Sequence, residues 1–306
     1  MDELVTLFAL DRIQCLHESR TRKIHSLLRP EDQQTPHAPT AEQNGLDYAV
    51  AHHFLEGAEA AARAGDHGTF AWYRESVVAD RTEWYTTTTV GPRIILSPNL
   101  SSLPRSVISE TPYVLLGRDT RAAPAILRGL SAMAFVTAAE TGFAALLASH
   151  AAVVCLLRHK EIGNTLDSWT ISRLPGTIFT DHVDEPVVLA RDLIHEAGHN
   201  WFNDALAACG VKISADVEFF SPWKKTTRPA FGFLHSCWAF PLTMLYSARV
   251  LDRASGPVRT FLTAYLTQQR ELLAVTTDDY VRALGLISDH DLQHRLDTVY
   301  RAARAL

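Results

Sequence analysis

The chain has 306 residues, a formal net charge of −5, 47% hydrophobic and 21% charged residues, enough for one large domain or two ordinary ones with a sizeable core. Dispersed basic residues and the negative balance give no reason to expect nucleic acid as a partner. Four cysteines without CxxC spacing (Cys15, Cys155, Cys209 and Cys237) favour a reducing cytoplasm over a disulfide framework.

Taken in chain order, the opening Met1-Asp2-Glu3-Leu4 is acidic and lacks the basic region of a signal peptide. Apolar spacing predicts a helix over 2–29, and the Pro-, Gln- and Thr-rich stretch from Pro30 to Asn44 should be an exposed loop. An Ala-rich helix is expected over 46–64, ending at Gly65, and a short one over 70–81. Trp84 to Val90, with four successive threonines, reads as a strand; Pro92–Leu100 and Thr111–Leu116 are further short strand candidates. The most apolar region, 122–157, is interrupted by Arg128, Glu140 and His150, so it reads as buried helices and a strand (Ala152–Leu157) rather than a membrane span. Thr165–Thr180 has the pattern of strand, turn at Leu174-Pro175-Gly176, and second strand.

Next comes His195-Glu196-Ala197-Gly198-His199. Two histidines four apart lie on one face of a helix, where both imidazoles reach a single cation. Leu189, Ala190, Leu193, Ile194, Ala197, Trp201 and Phe202 recur at helical spacing around it, and Pro186 suits a first turn. Beyond this helix, Asp216–Phe220 should be extended and Ser221–Thr227 a polar loop. Arg228-Pro229 is expected to open a helix that Pro241 bends, with His235, Trp238, Ala239 and Leu242 on one face. Helices follow over 258–274 and from a cap at Ser288–Asp291 to Leu306.

Two histidines do not complete a catalytic metal site, and a third protein ligand is needed. Eighteen residues separate His199 from Glu218, the spacing at which gluzincin metallopeptidases supply their third ligand. His235 is the other main candidate; Asp204 and Asp216 are weaker ones.

The order Ser168-Trp169-Thr170-Ile171-Ser172, Leu174-Pro175-Gly176, His195 to His199, Ser221-Pro222-Trp223-Lys224, Arg228-Pro229 and Gly232-Phe233-Leu234-His235 resembles the HExxH-motif peptide-modification family, over about 165–240. That resemblance implies tailoring of ribosomally made, post-translationally modified peptides. It further implies an Fe(II)- and 2-oxoglutarate-dependent oxygenase hydroxylating the β-carbon of a residue in a peptide or peptidyl substrate, with a carrier or precursor peptide as a further partner. On this reading His195, His199 and His235 hold Fe(II), and Arg228 grips the far carboxylate of 2-oxoglutarate with its bidentate fork, Lys224 or Lys225 offering a point charge instead. Glu196 then orients a ligand or water. The alternative is a gluzincin-like peptidase: Zn(II) on His195, His199 and Glu218, Glu196 as the base that deprotonates metal-bound water, Arg228 binding a substrate carboxylate and His235 stabilising an oxyanion. A third possibility is a non-catalytic structural zinc protein. Closed structural sites normally take four protein ligands, and Cys237, two residues from His235, points to a different helix face.

The expected fold is α+β and mainly α-helical: the HExxH helix beside a small sheet drawn from roughly 84–116 and 152–180, surrounded by helices. Residues 1–81 would be an N-terminal helical region that packs on this core or serves as a lid or recognition lobe, and 82–306 the metal-binding catalytic region. No membrane partner is expected.

Overall fold

A computed structural model describes residues 3–29, 41–77, 81–103 and 113–306. The fold is α+β and mainly helical. Its organising layer is a five-stranded sheet in the order β1-β2-β3-β5-β4, made of β1 (Tyr85–Thr88), β2 (Gly91–Leu96), β3 (Val153–His159), β4 (Ser168–Trp169) and β5 (Thr177–His182). β2, β3 and β5 run parallel, whereas β1 and β4 are antiparallel edges. Parallel strands covered on both faces read as apolar runs, and Val153-Val154-Cys155-Leu156-Leu157 is one. Side chains alternate between faces. Ile94, Leu96, Val153, Cys155 and Phe179 therefore join one core while Ile95, Val154, Leu156 and Ile178 join the other.

The first core is closed by α3 (Ala41–Ala64) and α4 (His67–Ser76). The second is closed by α5 (Ala125–Glu140), α6 (Ala144–His150), the motif helix α7 (Pro186–Ala208) and α8 (Ala230–Leu251). Gly142, at φ +89, supplies the left-handed turn that separates α5 from α6. Arg93 is fully buried on β2 and donates to the carbonyls of Pro92, Val90 and Ala148, tying the sheet to α6.

The N-terminal helix is two helices, α1 (Glu3–Phe8) and α2 (Asp11–Leu28), broken at Ala9-Leu10. Leu7, Phe8, Leu10 and Ile13 belong to the same core as α7 and α8, and the Trp201 indole donates to the Phe8 carbonyl at 3.2 Å. α3 begins at Ala41, five residues before the expected start; the rest of the expected loop, 30–40, lies outside the described residues. Of the strand expected at Thr111–Leu116, residues 113–116 are irregular and 111–112 fall outside the description.

Beyond α7, a second sheet pairs β6 (Glu218–Ser221) with β7 (Thr226–Pro229) as a hairpin. Arg228-Pro229 therefore closes a strand instead of opening the helix, and α8 starts at Ala230 and continues through Pro241. The remaining helices are α9 (Gly256–Ala274), α10 (Thr277–Leu284) and α11 (His290–Arg304). The cap of α11 is Asp289, not Ser288: its carboxylate accepts the Leu292 amide at 2.9 Å and also binds Arg12 at 2.6 Å, joining α2 to α11. No helix among the described residues is long and apolar enough to cross a membrane.

Candidate metal centre

α7 presents His195 and His199 one turn apart. Their Nε2 atoms lie 3.1 Å from each other with the rings edge to face. Two nitrogens each about 2.1 Å from one ion can be no more than about 4.2 Å apart, so this pair fits a shared cation. Both rings are partly buried. Burial, then the neighbouring His199, Arg191 and Lys224 charges, hold His195 well below the ordinary imidazole range. Burial, then Arg228 and Lys224, push His199 down to about 4. Neutral rings are the form that ligates metal.

Glu196, on the same turn, is buried, and its Oε1 accepts a 2.6 Å hydrogen bond from the Ser168 hydroxyl. Ser168 belongs to β4, the sheet's last strand, so the hydrogen bond fixes that edge against the motif helix. One nitrogen from each histidine and one Glu196 oxygen all lie within 4.8 Å of one another.

α8 crosses α7 closely at Gly198. There the Trp238 indole donates to the Gly198 carbonyl at 3.0 Å, and a Cβ on Gly198 would stand 2.9 Å from Leu242 Cδ1. This approach brings His235 onto His199, with ring centroids 4.7 Å apart and planes 14° from parallel. The His235 Nε2 bonds to Asn203 Oδ1 at 2.8 Å, and Phe202 and Phe231 flank the ring. His235 is not part of the 4.8 Å set that His195, Glu196 and His199 form. Burial, then His199, Arg228 and His195, hold its pKa well below the ordinary value.

The β6–β7 hairpin folds back over this cluster. Trp223 in its turn stacks on Phe240 of α8 at 4.8 Å, and Phe240 in turn meets the His195 ring at 4.8 Å. Lys224 follows in the turn, and its charge acts on both motif histidines. Arg228 on β7 donates to the Gly232 carbonyl at 3.4 Å, and a Cβ on Gly232 would lie 3.1–3.2 Å from its guanidinium. Glu218 is exposed at the start of β6, opposite Pro229, and also lies outside the 4.8 Å set. Asp216 is exposed and engaged with Ser214. Asp204 leaves α7 nine residues after His195, about 180° around the helix, and meets His17 instead.

The sequence did not single out Asn203 or Phe240 for the site, and marked Trp223 only as part of the Ser221-Pro222-Trp223-Lys224 element. Asn203 and His199 are four apart on α7, so helical arithmetic could have found the first. The aromatic pair depends on the hairpin's pairing with itself and on its fold over α8. No family model matches the chain, and no curated protein matches it.

Proposed function

We propose that the protein is an Fe(II)- and 2-oxoglutarate-dependent oxygenase that hydroxylates the β-carbon of a residue in a peptide or peptidyl substrate. The observation that carries the reading is the pair of cations beside the histidine cluster. The charges of Lys224 and Arg228 both reach His199, and Arg228 also reaches His235. A dianionic keto acid needs fixed positive charge next to the metal, and a guanidinium held flat against Gly232 offers a planar fork for a carboxylate.

His195 and His199 would hold the iron, and His235, which stands outside the 4.8 Å set, would have to move inward to complete a nitrogen set within the range such ions accept. When bound, Fe(II) with 2-oxoglutarate and dioxygen supplies the oxidation: one oxygen atom converts C–H to C–OH, and the other enters succinate as 2-oxoglutarate loses carbon dioxide. The chain's own residues orient the partners. Arg228 takes the far carboxylate of 2-oxoglutarate, with Lys224 adding a point charge. Asn203 fixes the tilt of His235, and Ser168 fixes Glu196, so the glutamate acts as a positioning group. Trp223 and Phe240 form an apolar wall that keeps water from the His195 side. β4 pairs with β5 alone among the described strands, which leaves its outer edge to receive an extended peptide beside Glu196.

One observation favours a second reading. Glu196 stands within 4.8 Å of both motif histidines, as the general base of a zinc peptidase would. That reading takes Glu218 as third ligand. The deciding experiment follows succinate from 2-oxoglutarate under Fe(II), ascorbate and dioxygen with candidate peptides, in parallel with peptide hydrolysis under Zn(II). The oxygenase reading expects succinate that depends on iron and substantial residual turnover in Glu196→Gln. Hydrolysis restored by Zn(II), abolished in Glu196→Gln with metal retained, would replace it by the peptidase.

A further inference from the structure

On the opposite side of α7 from the motif histidines lies a second group of metal-ligating side chains, drawn from three helices: His17 of α2, His150 at the end of α6, and Asp204 of α7. Each is 2–3% exposed. One ligand atom from each lies within 4.8 Å of the others. His17 Nε2 is 2.8 Å from Asp204 Oδ2, and His150 Nε2 is 3.5 Å from the same oxygen.

We propose that His17, His150 and Asp204 form an enclosed second site for a divalent cation of the zinc class, which clamps α2 and α6 to the motif helix. A proton explains only part of the arrangement. Shared between His17 and Asp204 it satisfies those two groups, yet His150 Nε2 has no hydrogen-bond partner, although it faces the same carboxylate oxygen. A cation takes all three donors at once. Two imidazoles and one carboxylate are a borderline nitrogen and oxygen set that suits Zn(II), with a water completing four-coordination.

The surroundings match those of a ligating carboxylate. The other oxygen of Asp204, Oδ1, accepts from the Tyr48 hydroxyl at 3.4 Å, and that hydroxyl in turn accepts from Arg20 at 2.9 Å. Tyr48 also stacks on the His17 ring at 3.9 Å, fixing its plane. Asn200, one turn before Asp204, donates to the His150 carbonyl at 3.0 Å and holds α6 in place. The enclosure leaves no room for a substrate, so the bound ion's role is to brace the helix that carries His195 and His199. The inference does not depend on the reaction carried out at those histidines.

The test uses the full-length chain, stripped with a chelator and titrated with Zn(II) against a chromophoric competitor. The wild type should take two equivalents and His195→Ala/His199→Ala one. In that double variant Co(II) should give the visible bands of a four-coordinate site, and Zn(II) should raise the melting temperature. Adding His150→Gln should weaken the remaining site at least about a hundredfold and abolish both signals. Asp204→Asn serves as a second variant if His150→Gln does not fold. A folded double variant that takes up no Zn(II), or takes it up equally well with His150→Gln, overturns the proposal. One equivalent that survives His195→Ala/His199→Ala supports this site and removes the metal from the other.

Discussion

Replacing Gly198 with alanine sets two effects against each other inside the motif. In a helix interior alanine is favoured over glycine by about 1 kcal/mol. Against this, the new Cβ would stand 2.9 Å from Leu242 Cδ1 and 3.6 Å from Trp238 Nε1, whereas carbon atoms rest at about 3.5–4.0 Å. Leu242 is fully buried and its methyl has no solvent to move into. Overpacking of this kind typically costs about 1–3 kcal/mol, so the net change should be a loss of about 0–2 kcal/mol. The strain is relieved either by a new Leu242 rotamer or by a shift of α8 away from α7, and the shift carries His235 and Phe240 with it. Gly198→Ala is therefore expected to stay folded in urea titrations while its Fe(II) affinity falls about tenfold, or 1.4 kcal/mol. Adding Leu242→Ala should restore much of that affinity despite its own cavity cost. Wild-type iron affinity together with a stability gain of about 1 kcal/mol in Gly198→Ala would refute the argument that close helix approach sets the ligand geometry.

Three further outcomes follow from named contacts. Gly232→Ala, which places a Cβ 3.1–3.2 Å from the Arg228 guanidinium, should raise KM for 2-oxoglutarate about tenfold with iron content unchanged; an unchanged KM removes Arg228 from co-substrate binding. Ser168→Ala deletes the 2.6 Å hydrogen bond to buried Glu196, at about 1–3 kcal/mol of stability in urea titrations. Its kcat should fall while KM for 2-oxoglutarate holds, and unaltered kcat would show that the hydrogen bond only packs β4. Burial pushes His53 down to about 3, whereas in the unfolded chain it titrates near about 6.5. Between those values only the unfolded state takes the proton, so stability is full above the upper value and falls with pH, by about 2 kcal/mol at pH 5. His53→Gln, which can keep a hydrogen bond to Thr177 Oγ1, should lose about that much less between pH 7 and 5; an identical acid limb contradicts the buried neutral imidazole.

The elements that set the site were legible in the sequence where the signal is local. Pro186 and the helical recurrence of Leu189, Leu193 and Trp201 marked α7, and the apolar run at 153–157 marked a strand covered on both faces. Non-local signals were not legible. The strand, turn and strand read over Thr165–Thr180 stand as β4 antiparallel to β5, but nothing in Ser168-Trp169 says that Ser168 meets Glu196. In the sequence β7 reads as the end of a loop and the start of a helix, because a mostly exposed strand such as Thr226–Pro229 carries no apolar alternation. α10, at eight residues, is too short for periodicity to separate it from its neighbours. Asp204 is one of the weaker candidate ligands for the motif histidines in the sequence, and helical geometry puts it on the opposite face. Its partners, His17 and His150, come from distant parts of the chain.

The most direct measurement of the central claim needs no knowledge of the peptide. The chain is loaded with Fe(II) under anaerobic conditions and titrated with 2-oxoglutarate, following the visible charge-transfer absorption of a keto acid chelated to ferrous ion. A band that saturates at one equivalent, disappears in His235→Ala and requires more 2-oxoglutarate in Arg228→Lys is the expected result. Iron bound with no such band at any concentration of 2-oxoglutarate would contradict the account.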